Sequence, residues 1–237
     1  MKPVGIITAA IALGFCAMSA PASASQQVYT YSVIHPVYGE IGTFTDIIDC
    51  TADLTRIDTH LRVAVRVLGI VAYREESDTT EVLQGNRLVT LTSNTDKDGT
   101  HTEVRGQAQG ERFLVNASYG STAAPADVAP SDPWLLKHTG IGMVVSTATG
   151  KLVNIRVSGG QETVISLHGT DVKVRYFLIA GDKKQEVWLD SHDIPVMFRS
   201  MEHGTAIDFV LKTPLSEAAI ALAAATPAAA LRTDDEK

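Results

Sequence analysis

The stretch LRVAVRV, residues 61–67, decides the fold class. Its large apolar residues occupy every second position, and two arginines and an alanine fill the positions between them. Because successive side chains of a strand point to opposite faces of a sheet, this pattern predicts a half-buried β-strand with its cations toward water. An amphipathic helix would instead need apolar residues three and four positions apart.

The same period of two recurs on both sides of this stretch. Residues 28–34 alternate in this way, and so do residues 172–178, where Lys173 and Arg175 lie between apolar positions. Turn-forming residues separate such stretches at Gly85-Asn86, Asp98-Gly99, Gly110, Gly150, Gly159-Gly160, Gly181-Asp182 and His203-Gly204. We therefore predict an all-β protein of about ten to twelve strands, an antiparallel meander that forms a curved sheet or open barrel.

An internal repeat supports this fold. Glu81-Val82-Leu83 has its counterpart in Glu186-Val187-Trp188, and Gly99-Thr100 has its counterpart in Gly204-Thr205, always with the same offset. The constant spacing predicts two related meander halves that lie side by side in one curved sheet. The alternative is two similar hairpins that share only their turn chemistry.

The N-terminal residues 1–24 have the pattern of a secretory signal peptide. Lys2 precedes an apolar run over residues 4–20, and Ala22-Ser23-Ala24 matches the small-x-small site that signal peptidase accepts. We expect cleavage after Ala24, export to the periplasm or the medium, and no stable membrane span afterwards. The alternatives are an uncleaved membrane anchor and a lipoprotein, for which Phe15 beside Cys16 is too bulky.

The remaining chain divides into two parts. Residues 25–213 form a single β-rich domain in this prediction, and residues 214–237 form an Ala-rich tail with a short helix that Pro227 ends. Within the domain, residues 118–133 are rich in Ala, Pro, Ser and Asp and lack periodicity. This segment is expected to be a long surface loop.

Charge and cysteine content limit the partners and the chemistry. The chain has 20 Lys and Arg against 27 Asp and Glu, a net charge of −7, so neither nucleic acid nor anionic lipid head groups are expected partners. Loss of the signal peptide leaves Cys50 alone, which excludes an internal disulfide. Because Cys50 follows two isoleucines, a small core residue is the first interpretation and a reactive thiol the alternative.

One segment resembles a calcium-binding loop. Residues 94–99, NTDKDG, match its first six positions, where oxygen ligands alternate before a glycine. The twelfth position should be a bidentate Glu but is Arg105, and the counterpart at 199–204 keeps the glycine but has Met201 and His203 in place of Asp96 and Asp98. The segment therefore predicts a hairpin turn with Gly99 in the left-handed region, and no metal or cofactor is assigned.

No catalytic motif is present in the sequence. Seven histidines lie scattered, without the spacing of a zinc site, at His35, His60, His101, His138, His168, His192 and His203. An enzyme would have to assemble its site from distant residues, and the rival hypothesis is a hydrolase that uses His138, His168 or His192 with a nearby carboxylate.

The two tryptophans suggest a ligand pocket. We predict that Trp134, Leu135 and Leu136 close one end of the concave face of the sheet, and that Trp188 points into the same space. A cavity that these residues fill incompletely would bind a lipid-like molecule.

Several short segments together resemble a family of exported bacterial proteins of unknown function. The matching segments span Tyr31 to Leu211 and are Ile41-Gly42-Thr43, Val67-Leu68-Gly69-Ile70 with Tyr73-Arg74, residues 81–91, residues 95–99, Pro133-Trp134, Gly181-Asp182 and Trp188-Leu189-Asp190. Leu83 and Leu189 replace residues that are usually aromatic in that family. The resemblance implies a curved β-sheet protein that cradles apolar molecules in the periplasm, and it supplies no catalytic residues.

From these observations we expect a non-enzymatic periplasmic protein that binds an apolar ligand or an envelope partner. The hydrolase is one alternative. The other is a structural envelope protein that recognises its partner through residues 118–133.

Overall fold

The computed structural model describes residues 25–51, 53–132, 140–202 and 204–212. These residues form β-strands and no helix. The strands are β1 (Ser25–His35), β2 (Gly39–Cys50), β3 (Leu54–Val67), β4 (Ile70–Gln84), β5 (Arg87–Lys97), β6 (Thr100–Gln109), β7 (Arg112–Ala117), β8 (Gly120–Pro125), β9 (Ala129–Pro130), β10 (Gly140–Val145), β11 (Leu152–Leu167), β12 (Thr170–Ala180), β13 (Lys184–Leu189), β14 (Pro195–Glu202) and β15 (Thr205–Leu211).

All the described strands belong to one sheet. Its order is β8-β7-β6-β5-β4-β3-β2-β1-β15-β14-β13-β12-β11-β10-β9. Neighbours are antiparallel apart from β9, which runs parallel to β10. Two meanders are therefore joined in the middle, where Tyr31 of β1 pairs with Leu211 of β15. The predicted all-β fold, an antiparallel meander in a curved sheet, is confirmed.

The sheet curls until its two ends overlap. β9 lies against β5, and Gly150, in the turn after β10, packs against Val104, Val115 and Ala117. A Cβ on Gly150 would lie 2.7 Å from the Cβ of Ala117, and its φ of +71° also favours glycine. The end of the sheet that carries β9 and β10 therefore lies inside the end that carries β5 to β7.

β-Bulges supply the curvature. A bulge adds a residue to one strand, bends that strand and increases the local twist. Register shifts of this kind occur at Val33/Ile34, Val65/Arg66, Val82/Leu83, Gly159/Gln161 and Trp188/Leu189.

The core lies on the inner face of this curl. In β7, for example, Phe113 and Val115 are buried whereas Leu114 between them faces solvent. Tyr31, Val104 and their neighbours on the other strands belong to the same cluster. Cys50, predicted to be a small core residue, is half-buried and packs against this cluster.

The prediction that residues 118–133 form one long loop is wrong for the described part, residues 118–132. Residues 120–125 and 129–130 are strands, and Val128 and Asp132 are buried because the chain turns there from the outer end of the curl to the inner one. Small residues and prolines are tolerated in strands at a sheet edge, which is where β8 and β9 lie.

The repeat appears in the structure as two hairpins of the same kind. β5, β6 and their turn correspond to β14, β15 and their turn, and Gly99 and Gly204 both have positive φ, +81° and +83°. Before the hairpins the two copies differ, because β4 is one long strand whereas β12 and β13 are separate. The predicted signal peptide and C-terminal helix lie outside the described residues.

Candidate functional site: an aromatic surface on the inner face

Four aromatic rings meet on the inner face, where β1 and β2 adjoin β14 and β15. Tyr31 lies 5.3 Å from Phe198 and 5.8 Å from Phe44, measured between ring centroids, with edge-to-face geometry. Phe198 stacks on Phe209 at 4.3 Å, and Phe44 lies 5.6 Å from Phe209. They meet because cross-strand pairing places Tyr31 beside Phe44 and Phe198 beside Phe209.

The buried member of the cluster is fixed by a hydrogen bond. The Tyr31 hydroxyl donates to the Pro195 carbonyl oxygen at 2.8 Å and the side chain is completely buried. Burial, with the charge of Asp46 in second place, raises the pKa of this phenol well above its usual value. Tyr31 therefore stays neutral and serves as a hydrogen-bond donor.

Two members of the cluster remain incompletely covered by the described residues. Phe44 and Phe209 are half-buried, and so is Leu61, which pairs with Phe44 across β2 and β3. Elsewhere on the inner face, residues such as Ile57 and Leu83 are buried. The aromatic surface of Phe44, Phe209 and Leu61 is therefore apolar area that another group could cover.

Beside the aromatic surface the inner face carries hydroxyl groups. Ser77 and Thr95 share a hydrogen bond of 2.8 Å, and Thr79 and Ser93 share another of the same length. Both pairs join β4 to β5 directly across the ladder. This part of the inner face can therefore form hydrogen bonds that the aromatic surface cannot.

Buried carboxyl groups lie beyond the hydroxyl groups. Asp46 is fully buried and accepts a hydrogen bond of 2.6 Å from Thr59. Glu81 is 1% exposed, and among the described residues its Oε2 has no hydrogen-bond partner. Burial raises the pKa of Glu81 well above its usual value, and the charges of Asp132 and Asp46 act in the same direction. A carboxyl group held neutral in this way can donate as well as accept a hydrogen bond.

The outer face has a groove of about 450 Å³, lined by Glu76, Asp78, Asp96, Glu103 and their neighbours. Three of these carboxylates pair with an arginine, and the fourth contacts a histidine. The pairs are Arg74 with Glu76, Arg62 with Asp78, His101 with Asp96 and Arg105 with Glu103. The groove is therefore lined mainly by surface ion pairs between arginines and carboxylates, each of which contributes little energy.

Only one of the four predicted pocket residues, Trp188, belongs to the described part of the chain. Trp134, Leu135 and Leu136 lie outside the described residues. Trp188 is half-buried beside Tyr176 at 5.4 Å, below the guanidinium of Arg199. Val187 and Leu189 on either side of it are buried, so Trp188 occupies the opposite face of β13 from the core residues. This differs from the predicted inward orientation; a role of these four residues in ligand binding stays a prediction.

The histidines proposed for a hydrolase are engaged in structural contacts or lie outside the described residues. His168 contacts the Leu211 carbonyl oxygen through Nε2 at 2.7 Å. His192 is in a turn in which Asp190 Oδ1 accepts the backbone N–H of His192 and of Ile194, at 2.8 and 2.9 Å. His138 is not described. Nothing in these contacts supports a hydrolase, and among the described residues no group of three His, Cys, Asp or Glu could hold a metal ion.

The turn that resembles a calcium loop is a hairpin turn, as predicted. Asp98 and Gly99 have φ of +49° and +81°, and Asp96 Oδ1 accepts the Gly99 N–H at 2.9 Å. Asp98 Oδ1 accepts the backbone N–H of Arg74 at 2.7 Å. Asp96 thus stabilises the turn itself, and Asp98 connects the turn to the neighbouring strand β4.

The aromatic surface and the buried acids were not identified from sequence. The alternation Phe44, Asp46, Ile48 in β2 shows in retrospect that all three share the inner face. The signal in the sequence was an acidic residue between two apolar residues at the two-residue spacing of a strand face, which could have identified Asp46 as buried. Phe198 and Phe209 lie close to Phe44 because β1 pairs with β15 in the sheet.

Comparisons with known proteins agree on the fold. The model of the family described as "Domain of unknown function (DUF6134)" matches residues 39–212. A beta-barrel-like protein of domain of unknown function DUF1849 from Brucella abortus is similar in structure, with a TM-score of 0.61 and 11% sequence identity over 81% of this chain and 97% of that chain. No curated protein matches the chain. None of the described residues forms a helix that could cross a lipid bilayer.

Proposed function

The chain belongs to the family described as "Domain of unknown function (DUF6134)", and within this barrel-like fold we propose that it is a non-enzymatic cell-envelope protein that binds an apolar, lipid-like ligand. The observation that carries the proposal is the incompletely covered aromatic surface of Phe44, Phe209 and Leu61 on the inner face. A ligand that covers it gains roughly 25 cal/mol per Å² of apolar area removed from water.

The surroundings of this surface favour an amphiphile over a pure hydrocarbon. Ser77 and Thr95 lie across the ladder from Leu61, so hydroxyl groups adjoin the apolar area. Ligand sites of this kind combine a mainly apolar lining with a few polar groups that fix orientation. The apolar part would lie on the phenylalanines and the polar end would face the hydroxyl groups.

The sequence supports two further parts of the proposal. Trp134, Leu135 and Leu136 come two to four positions after Asp132, which is buried inside the curl, and we include them as pocket residues. Export rests on the signal-peptide pattern before Ser25. Intact mass of the protein from the extracellular or periplasmic fraction should correspond to a chain that starts at Ser25, and a full-length mass there would contradict export by cleavage.

Ligand titration with matched variants tests the binding function. The delipidated protein is titrated with a polyene fatty acid whose fluorescence rises in apolar surroundings. The double variant Phe44→Leu/Phe209→Leu keeps the residues apolar but removes both rings. We expect at least about tenfold weaker binding, which corresponds to about 1.4 kcal/mol.

The control variant is Leu114→Ser, which removes apolar area from the outer face of β7, where Leu114 is 36% exposed. It should bind like the unmodified protein. Thermal melts establish that both variants fold. Equal affinity of the double variant and the control, or no saturable signal from the unmodified protein, would overturn the proposal.

A further inference from the structure

The turn between β3 and β4 ends in exposed apolar side chains. Residues 67–71, VLGIV, form this turn and its flanks, and Leu68 is 97% exposed and Ile70 73% exposed. Exposure of a single apolar residue is ordinary, but here the whole tip is apolar and protrudes from the sheet. The fold gains almost no burial from Leu68 and only a minor amount from Ile70.

Leu68 is also a conformationally unfavourable choice. Its φ is +52° and Gly69 follows at +84°, the dihedral pattern of a two-residue hairpin turn that favours Asn, Asp or Gly at its first position. Two other hairpins of this protein have the same pattern, with Asp98 or His168 in place of the leucine. A strained leucine in full contact with water points to a role outside the folding of this chain.

The neighbouring hairpin has an apolar tip at the same end of the sheet. Val37 and Tyr38, between β1 and β2, are 77% and 49% exposed. Gly42 near the start of β2 pairs with Val63 near the end of β3, so the two turns lie at the same end of these strands. Together residues 36–38 and 67–71, here called the apolar tips, form a pair of adjacent convex projections.

Cations flank the larger tip. Arg66 and Arg74 are both exposed, one on each strand below the turn. Arg74 pairs with Glu76 at 2.5 Å, and within the described part of the chain Arg66 forms no ion pair. Apolar side chains at the tip with arginines just below match the layered polarity of a bilayer interface, where guanidinium groups meet phosphates.

We propose that the apolar tips dock onto the surface of a lipid bilayer, with Leu68 and Ile70 inserted among the acyl chains and Arg66 and Arg74 at the phosphate level. A bilayer accepts a convex apolar tip without a complementary pocket, which a protein partner would have to provide. The net charge of −7 opposes approach to an anionic surface as a whole, so contact is confined to this end. The inference goes beyond ligand binding and stands on different residues.

Vesicle flotation tests this inference. The protein without its signal peptide is mixed with vesicles of phosphatidylcholine, with and without phosphatidylglycerol. The variant Leu68→Asn/Ile70→Ser should lose at least about tenfold in bound fraction on both vesicles. Because Asn tolerates the left-handed region, this variant should melt no lower than the unmodified protein.

A matched control carries Ile141→Ser/Val164→Ser, which removes two apolar side chains of similar exposure, 73% and 56%, from β10 and β11. It should float like the unmodified protein. Arg66→Gln/Arg74→Gln should weaken binding to the anionic vesicles and leave binding to phosphatidylcholine unchanged.

Two results would overturn the inference: an unmodified protein that binds neither vesicle, and a Leu68→Asn/Ile70→Ser variant that binds as the unmodified protein does. The Phe44→Leu/Phe209→Leu variant separates the two proposals. It should lose the fatty acid and keep the vesicles, whereas the tip variant should show the opposite pattern.

Discussion

At the scale of single residues, Glu81 is the most unusual group in the described structure. It lies on the inner face near the charges of Asp46 and Asp132, and within the described part of the chain its Oε2 has no hydrogen-bond partner. Its counterpart in the repeat, Glu186, faces outward. There burial acts to raise the pKa, but hydrogen bonds from Lys184 and Tyr176 and the charges of Lys184 and Arg199 outweigh it and lower the pKa. Folding thus shifts the pKa values of these two equivalent glutamates in opposite directions.

This difference predicts a pH effect of definite sign. The pKa of Glu81 is raised in the folded state, so the native protein binds the proton more tightly than the unfolded chain does. Its contribution to stability is present below the ordinary pKa and is lost as the pH rises through the folded-state pKa. We expect Glu81→Gln to gain stability over the unmodified protein as the pH increases, in urea titrations repeated from acid to neutral pH.

Glu186→Gln is the control for this measurement. Its carboxylate has a lowered pKa, so its contribution is present above the ordinary pKa and lost on acidification. Glu186→Gln should therefore lose stability relative to the unmodified protein as the pH rises, the opposite slope. If the free energies of unfolding of Glu81→Gln and the unmodified protein change with pH in parallel, folding does not raise the pKa of Glu81 and the prediction is wrong.

At the scale of elements, the hairpin is the unit that recurs, and its loop length decides which face each residue occupies. In the first copy Glu81 pairs with Leu91, whereas in the second Glu186 pairs with Arg199. The β13–β14 connection is longer than the β4–β5 connection, so β13 pairs with β14 in a different register from that of β4 with β5. A shift by an odd number of residues exchanges the two faces of a strand.

The β5–β6 turn yields a prediction at this scale. Gly99 has open space around it, but its φ of +81° disfavours any Cβ. Gly99→Val should cost about 1–2 kcal/mol of unfolding free energy from backbone strain. Asp96→Ala should cost less, about 0.5–1 kcal/mol, because it removes an exposed hydrogen bond to Gly99 and an exposed contact with His101.

Denaturant titrations of the two variants rank these losses, with Thr92→Ala on the outer face of β5 as a control for an exposed change. If Asp96→Ala proves the more costly substitution, the acids of this turn have a role beyond its geometry. Added calcium in the same titrations would then identify a cation as the cause.

At the scale of the whole molecule, a single sheet without a closed ring of hydrogen bonds makes the barrel-like shape. The centre of the sheet is the β1–β15 pair, which joins the first and last described strands, and its edges are β8 and β9. Central strands are hydrogen-bonded on both sides. Among the described strands β8 pairs only with β7, and most residues of β8 are exposed.

This arrangement predicts a gradient of stability across the sheet. Amides of β8 should exchange with solvent by local opening, whereas those of β1 should exchange only by opening of the whole fold. We expect protection factors in β1 at least about a hundredfold above those in β8, measured by hydrogen exchange with mass spectrometry or NMR. Equal protection would mean that another segment covers the free edge of β8.

The sequence by itself determined the fold class, the turns and the repeated hairpin. These follow from the alternation in stretches such as 61–67 and from turn residues such as Asp98-Gly99, because strand facing and turn dihedrals are local properties. The tertiary structure alone decided that β1 pairs with β15, that residues 120–130 enter the curl, and that Glu81 faces inward. These features depend on register and on contacts between residues far apart in the chain, for which a local pattern holds no information. The aromatic surface of Phe44 and Phe209 belongs to this second kind, since its two halves come from opposite ends of the domain.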